Sequence, residues 1–327
     1  MKSTSLPPSV DSSLPARATA APAAAETVVI KIGSHDVPVV KGGLYDRFRS
    51  RPPLSVIAGE SPATDLSWFK GIIKAKVDIG FESWSPNFYY ENSRVTAIFT
   101  ADLARLRELI PPKVLEQVQP LQVWPGRGVI ALTAYAYHYC DNDSYNEIGL
   151  SVVTNKPGSS NRGPLSLISQ SFSDDFWGYV LKLPVDTELA RVRGVVGYNL
   201  PKWLTRIDYS EGTSNVVVKV FDSQTQALDV TFQTRKLDVS SSKETLVTNS
   251  FTTIDPRGRL TTGYTTSRQL RHASTSSANA VKLTLTDGSL SRFIASLKLG
   301  KMVKYEYVPE FQAALYAPQL LKSDAGH

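Results

Sequence analysis

The sequence predicts an α+β domain, mainly β, in which antiparallel strands curl into a closed or nearly closed sheet. Three observations lead there. Runs that alternate apolar and polar side chains recur from about residue 90 onward. Two of them, Asn215 to Phe221 and Ala227 to Thr234, are separated by a short connection, Asp222-Ser223-Gln224, as in a hairpin. Helical periodicity is confined to a few short stretches.

The elements follow in chain order. Residues 1–27 are rich in Ala, Ser, Pro and Thr. Such a composition buries too little apolar surface to offset chain entropy, so a disordered arm is expected. Its scarcity of acidic residues also fits a transit peptide. Residues 28–89 read as a linking segment, with a strand-like run at Val28 to Ile32 and turn-prone Gly42-Gly43 and Pro52-Pro53. Arg94 to Thr100 reads as a strand, after which Asp102 opens a helix (ADLARLRELI) that Pro111-Pro112 stops. Val129 to Cys140 places Tyr135, Tyr137 and Tyr139 on one face and small residues on the other, which reads as barrel packing. Further strands are expected at 244–254, 259–266 and 279–285, and helices near 186–198 and 288–297. No internal repeat at a fixed period is visible.

Composition narrows the function classes. The chain has 327 residues, 42 % hydrophobic and 20 % charged, enough to bury a sizeable core. Its net charge of +6 favours anionic partners. The Lys and Arg residues are scattered, with no polybasic run and no aromatic–basic motif, so a small anionic substrate fits better than nucleic acid. No apolar run approaches bilayer-crossing length and the first residues lack a signal-peptide core, so a soluble, cytoplasmic protein without membrane contact is expected. The single cysteine, Cys140, excludes an intrachain disulfide and reads as packing. His138, Cys140, Asp141 and Asp143 lie close in sequence, but no second ligand set accompanies them, so no metal site is expected.

The segment Gly197-Tyr198-Asn199-Leu200-Pro201-Lys202-Trp203 sets a lysine among apolar neighbours. A lysine attacks a carbonyl only as the neutral amine, a form favoured by burial or by a nearby cation. Leu200, Pro201, Trp203 and Leu204 offer the burial. This stretch resembles the active-site segment of acetoacetate decarboxylases. Upstream, Ser144-Tyr145-Asn146-Glu147 is similar to that family's Tyr-x-Glu element, and Thr100 to Pro112 to its strand–Asp–Leu–Arg–Pro-Pro helix. The elements occur in the family's order, and the resemblance extends over 90–320 to include the Lys304 to Gln312 segment.

The resemblance implies an acetoacetate decarboxylase-like closed antiparallel β-barrel with flanking helices, with 90–320 as the catalytic domain. It implies Lys202 as a Schiff-base lysine and Glu147 as its catalytic carboxylate. Arg94, Trp203 and Tyr145 are the implied substrate-binding residues. It also implies a homo-oligomer and no cofactor. Two departures stand out. Trp203 occupies the place of the decarboxylases' second lysine, and Arg94 is one residue out of step with the family's carboxylate-binding arginine. The expected function is that of a Schiff-base-forming lyase acting on a small oxo-acid, first of all a β-keto acid decarboxylase. The same lysine serves pyruvate condensation in aldolase–dehydratases of this superfamily, and a non-catalytic small-molecule binding protein would keep the same pocket.

Overall fold

The computed structural model describes residues 26–321. The arm expected over 1–27 lies outside them except for Glu26 and Thr27, and Thr27 opens the first strand.

Residues 28–89 are not a bare linker. Strands β1 (Thr27–Ile32) and β2 (His35–Val40) form a hairpin. Three short helices follow, α1 (Leu44–Phe48), α2 (Leu54–Glu60) and α3 (Ser67–Lys70), then a second hairpin of β3 (Ala75–Asp78) and β4 (Glu82–Ser85). After that the chain runs through β5 (Asn87–Asp102), α4 (Leu103–Leu109), α5 (Pro112–Leu115), β6 (Arg127–Cys140) and β7 (Tyr145–Val153). Next come α6 (Pro164–Ser173), β8 (Asp175–Lys182), α7 (Glu188–Tyr198), β9 (Ile207–Glu211), β10 (Asn215–Phe221) and β11 (Leu228–Arg235). The chain ends on β12 (Thr245–Ile254), β13 (Leu260–Thr275), β14 (Val281–Leu285), α8 (Ser289–Ser296) and β15 (Met302–Leu320).

Seven strands close a barrel in the order β12-β13-β15-β5-β6-β7-β8. Its neighbours are antiparallel except β12 and β8, whose parallel pairing closes the ring. A four-stranded sheet, β14-β11-β10-β9, packs outside it. Asp102 caps α4 as expected, its carboxylate accepting from the Arg105 N–H at 3.0 Å.

Alternation along each strand divides the barrel's two faces. Val95 and Ala97 of β5, Leu132 and Ala134 of β6, and Ile148 and Leu150 of β7 face outward. They share the main core with Val216, Val218, Val230 and Phe232 of the outer sheet. Each large side chain buried there contributes about 1.5–3 kcal/mol. This outer core therefore holds the fold, and the lumen is free to carry charge. Leu315 of β15, Phe251 of β12 and Val180 of β8 pack on one shared cluster although β15 pairs with neither β12 nor β8, so these side chains lie in the lumen. Tyr198 and Leu200, at the end of α7, fill the same cluster.

The N-terminal segment backs this plug. Ile32, Val37 and Val39 of the first hairpin pack on Leu189 and Val192 of α7. Leu44, Ile57 and Phe69 of the short helices pack on Phe88, Tyr90 and Ala314 of β5 and β15. No helix among the described residues is long and apolar enough to cross a membrane.

Candidate active site

Helix α7 ends at Asn199, which adopts the left-handed conformation (φ 49°) that Asn tolerates better than most residues. The Leu200 N–H then returns to the Gly194 carbonyl at 3.1 Å, turning the chain back over the helix. From there the chain runs extended beside the segment after β8. Leu183 N–H donates to Pro201 O (3.2 Å), Val185 N–H to Trp203 O (3.0 Å) and Thr205 N–H to Val185 O (2.9 Å). These bonds fix Lys202 at the barrel mouth.

The Lys202 stem lies directly over Gly194. A Cβ at Gly194 would collide with Lys202 Cδ and sit 2.5 Å from Cε. Glycine inside a helix costs roughly 0.5–1 kcal/mol against alanine, and the close passage of the lysine supplies the reason for it. No sequence pattern marked this residue beyond its place within a helical stretch.

Lys202 Nζ donates to Glu147 Oε2 at 2.5 Å, and both side chains are only 8 % exposed. Glu147 reaches the lumen because it lies in register with Tyr135 on β6, which in turn lies in register with Arg94 on β5. Arg94, Tyr135 and Glu147 thus form one row across three strands. The Tyr137 hydroxyl donates to Glu147 Oε1 at 3.4 Å. Tyr145 closes the other side, its ring centroid 5.7 Å from Lys202 Nζ and its hydroxyl 3.2 Å from that of Tyr89. Tyr137 and Tyr145 rings are 4.5 Å apart. Burial pushes the phenols of Tyr89, Tyr137 and Tyr145 well above their ordinary range, so they act as neutral donors.

Arg94 is buried and pairs with Glu306 of β15 at 2.8 Å, while its Nε has no hydrogen-bond partner among the described residues. Its guanidinium lies 5.5 Å from the Phe311 ring. Burial alone would raise the Glu306 carboxyl, but Arg94 and Lys304 hold it below the usual carboxylate range. Beside the row, the Asn146 backbone N–H and side-chain amide each donate to Asp186 at 2.8 Å. Burial pushes the Asp186 carboxyl up to about 6, with the Glu147 charge adding to the rise.

Four of the five residues singled out in the sequence therefore share the lumen wall: Lys202, Glu147, Tyr145 and Arg94. Trp203 does not join them. It packs against the main core, with Lys182 Nζ 5.8 Å from its ring. Leu204 is 43 % exposed, so the apolar setting of Lys202 comes from the tyrosines rather than from its chain neighbours. Sequence reasoning missed Glu306, Asp186, Tyr89 and Gly194, and it read Tyr135 and Tyr137 as packing only. For Glu306 a signal existed: in Lys304-Tyr305-Glu306-Tyr307 the charges alternate with the core tyrosines. Two surface cavities, of about 550 and 350 Å³, are lined by other residues.

No family model and no curated protein matches this sequence. Solved structures do. An acetoacetate decarboxylase from Legionella pneumophila aligns over 74 % of this chain and 89 % of its own, at 12 % identity and a TM-score of 0.50. The enduracididine biosynthesis enzyme MppR, complexed with pyruvate, aligns over 73 % of this chain and 91 % of its own, at 15 % identity and a TM-score of 0.52. The same enzyme with the condensation product of pyruvate and imidazole 4-carboxaldehyde aligns at 16 % identity over 74 % and 91 %, with a TM-score of 0.52. At these identities the likeness is one of fold, and the chain has the acetoacetate decarboxylase-like fold.

Proposed function

We propose that the protein is a Schiff-base-forming lyase for a small oxo-acid, with β-keto acid decarboxylation as its reaction. The observation that carries this reading is the buried contact between Lys202 and Glu147 in a tyrosine-lined lumen, with Arg94 in the same cross-strand row as Glu147. A buried ion pair adds little net stability over an apolar pair of the same size. Here it also rests on a glycine inside a helix, which favours a chemical role for it.

The chemistry starts with transfer of a Lys202 proton to Glu147, which frees the amine lone pair. The amine adds to the ketone carbon, and Glu147 returns the proton as the carbinolamine loses water. The resulting iminium draws in the electron pair of the Cα–carboxylate bond, and carbon dioxide leaves. The enamine carbon then takes a proton from solvent, relayed through Glu147 or the Tyr137 hydroxyl, and water adds to the new iminium to release the ketone and regenerate the Lys202 ammonium. Arg94 orients the substrate carboxylate through its unpartnered Nε, while Glu306 keeps the rest of the guanidinium engaged.

A panel of β-keto acids, assayed for carbon dioxide release, tests the proposal. The wild-type protein accelerates release for at least one of them and Lys202→Ala does not. Equal rates for the two proteins across the panel contradict it.

A further inference from the structure

Helix α6 carries an apolar face that no other described residue covers. Leu165, Ile168 and Phe172 are 64 %, 50 % and 88 % exposed, and their spacing sets them on one side of the helix. The opposite side is anchored. Gln170 donates to Thr154 O at 2.7 Å and accepts from the Trp177 N–H at 3.1 Å, and Leu167 packs beside Val129 and Val153. Trp124, 51 % exposed, shares a surface cavity with Gly163 and Pro164 at the helix start and extends the apolar patch.

The charges around α6 identify its partner. The helix itself contains no Asp, Glu, Lys or Arg. Arg162 precedes it, and Asp174 and Asp175 follow it. Among the described residues the Arg162 guanidinium and the Asp174 carboxylate have no ion-pair partner, while Asp175 lies 3.8 Å from Lys156. A cation at the start and an anion at the end oppose the helix macrodipole. A second α6 laid antiparallel reverses both penalties, because it sets Arg162 of each copy against Asp174 of the other. A ten-residue helix is about 15 Å long, so both ends meet at once.

We propose that α6 is the contact face of a homodimer, in which two copies of the helix pack antiparallel about a twofold axis. Leu165, Ile168 and Phe172 interdigitate with their counterparts across Ser166, Ser169 and Ser173. The patch is isologous, as a twofold interface requires. Aromatic side chains bury on the order of 150–250 Å² each. Phe172 and Trp124, with Leu165 and Ile168, thus supply about half of the roughly 800 Å² that each partner of a stable complex covers. The net charge of +6 opposes association elsewhere on the surface and leaves this charge-free helix as the favoured approach.

Sedimentation velocity on the full chain over a concentration series tests the proposal. The wild-type protein forms dimers. Phe172→Glu weakens dimerisation by about tenfold or more with an unchanged circular-dichroism spectrum. Arg162→Glu also weakens it, and adding Asp174→Lys restores it. Ile168→Cys, near the helix midpoint, forms a disulfide-linked dimer under mild oxidation. Leu246→Cys, 54 % exposed on β12, does not, and the native Cys140 is buried. A wild-type monomer at every concentration overturns the proposal, as does an oligomer indifferent to Phe172→Glu. Phe172-dependent binding of the monomer to phosphatidylcholine vesicles overturns it in favour of a lipid partner.

Discussion

At the scale of single residues, the account turns on a proton shared between two buried side chains. Glu147→Gln keeps the size of the side chain and the hydrogen bond to Lys202 but removes the proton acceptor. Turnover should fall by about 10²–10⁴, the usual contribution of a positioned general base, in a protein that keeps its circular-dichroism spectrum although the loss of the counter-charge to Lys202 lowers its thermal midpoint. An unchanged rate would return Glu147 to a structural role. Gly194→Ala makes a sharper test, because intrinsic helix propensity and catalysis predict opposite effects. Alanine improves the helix by roughly 0.5–1 kcal/mol, yet its Cβ occupies the path of the Lys202 stem. Imine formation should drop at least tenfold as the amine is displaced from Glu147. Full reactivity in Gly194→Ala would show that the stem has another route.

At the scale of elements, Asp186 ties the segment after β8 to β7 through Asn146. Its carboxyl titrates near 6 in the folded chain and near 3.8 without the fold, because burial disfavours the charged form. The native state therefore holds that proton more tightly. The group's stabilising contribution is complete below 3.8 and is lost as pH rises to about 6. The loss amounts to roughly 3 kcal/mol across the interval. Urea midpoints between pH 4 and 7.5 should fall with pH more steeply for wild type than for Asp186→Asn. Parallel curves would contradict the assignment. Elements also differ in how openly the sequence announced them. The β10–β11 hairpin, the Asp102 cap, α7 and α8 were all legible, because each carries an unbroken local signal. Strand β13 was expected over 259–266 but runs Leu260–Thr275, and β15 (Met302–Leu320) went unseen as a strand. Their mutual pairing shifts register at Thr262/Tyr264 and Gln269/Arg271, and that of β15 with β5 at Val308/Phe311. Each irregularity disturbs the two-residue alternation on which strand reading depends.

At the scale of the whole molecule, Lys202 was singled out in the sequence by its resemblance, whereas the residues the fold gathers around it were not. The row Arg94–Tyr135–Glu147 exists only through strand register, and Glu306 joins it by pairing with Arg94, 212 positions away in the chain. Residues 28–89 read as a link because their apolar groups find partners on α7 and the barrel rather than among themselves. A buried ion pair also fastens this segment. Lys74 meets Asp141, which accepts from the Phe88 N–H at 2.6 Å and the Tyr90 hydroxyl at 2.7 Å. Asp141→Asn leaves the Lys74 ammonium buried without a counter-charge and should cost about 3–5 kcal/mol in chemical denaturation. A loss below about 1 kcal/mol, the worth of an exposed pair, would mean that the segment is held by its apolar contacts alone.

The proposed chemistry requires an imine at Lys202. The most direct measurement is borohydride reduction of the folded protein with acetoacetate, pyruvate or longer oxo-acids, followed by intact mass and peptide mapping. One stable adduct is expected, on the peptide that contains Lys202, with Lys182 and Lys219 unmodified and no labelling of Lys202→Ala. Folded wild-type protein that no oxo-acid labels at Lys202 would contradict it and leave a binding protein built on the same barrel.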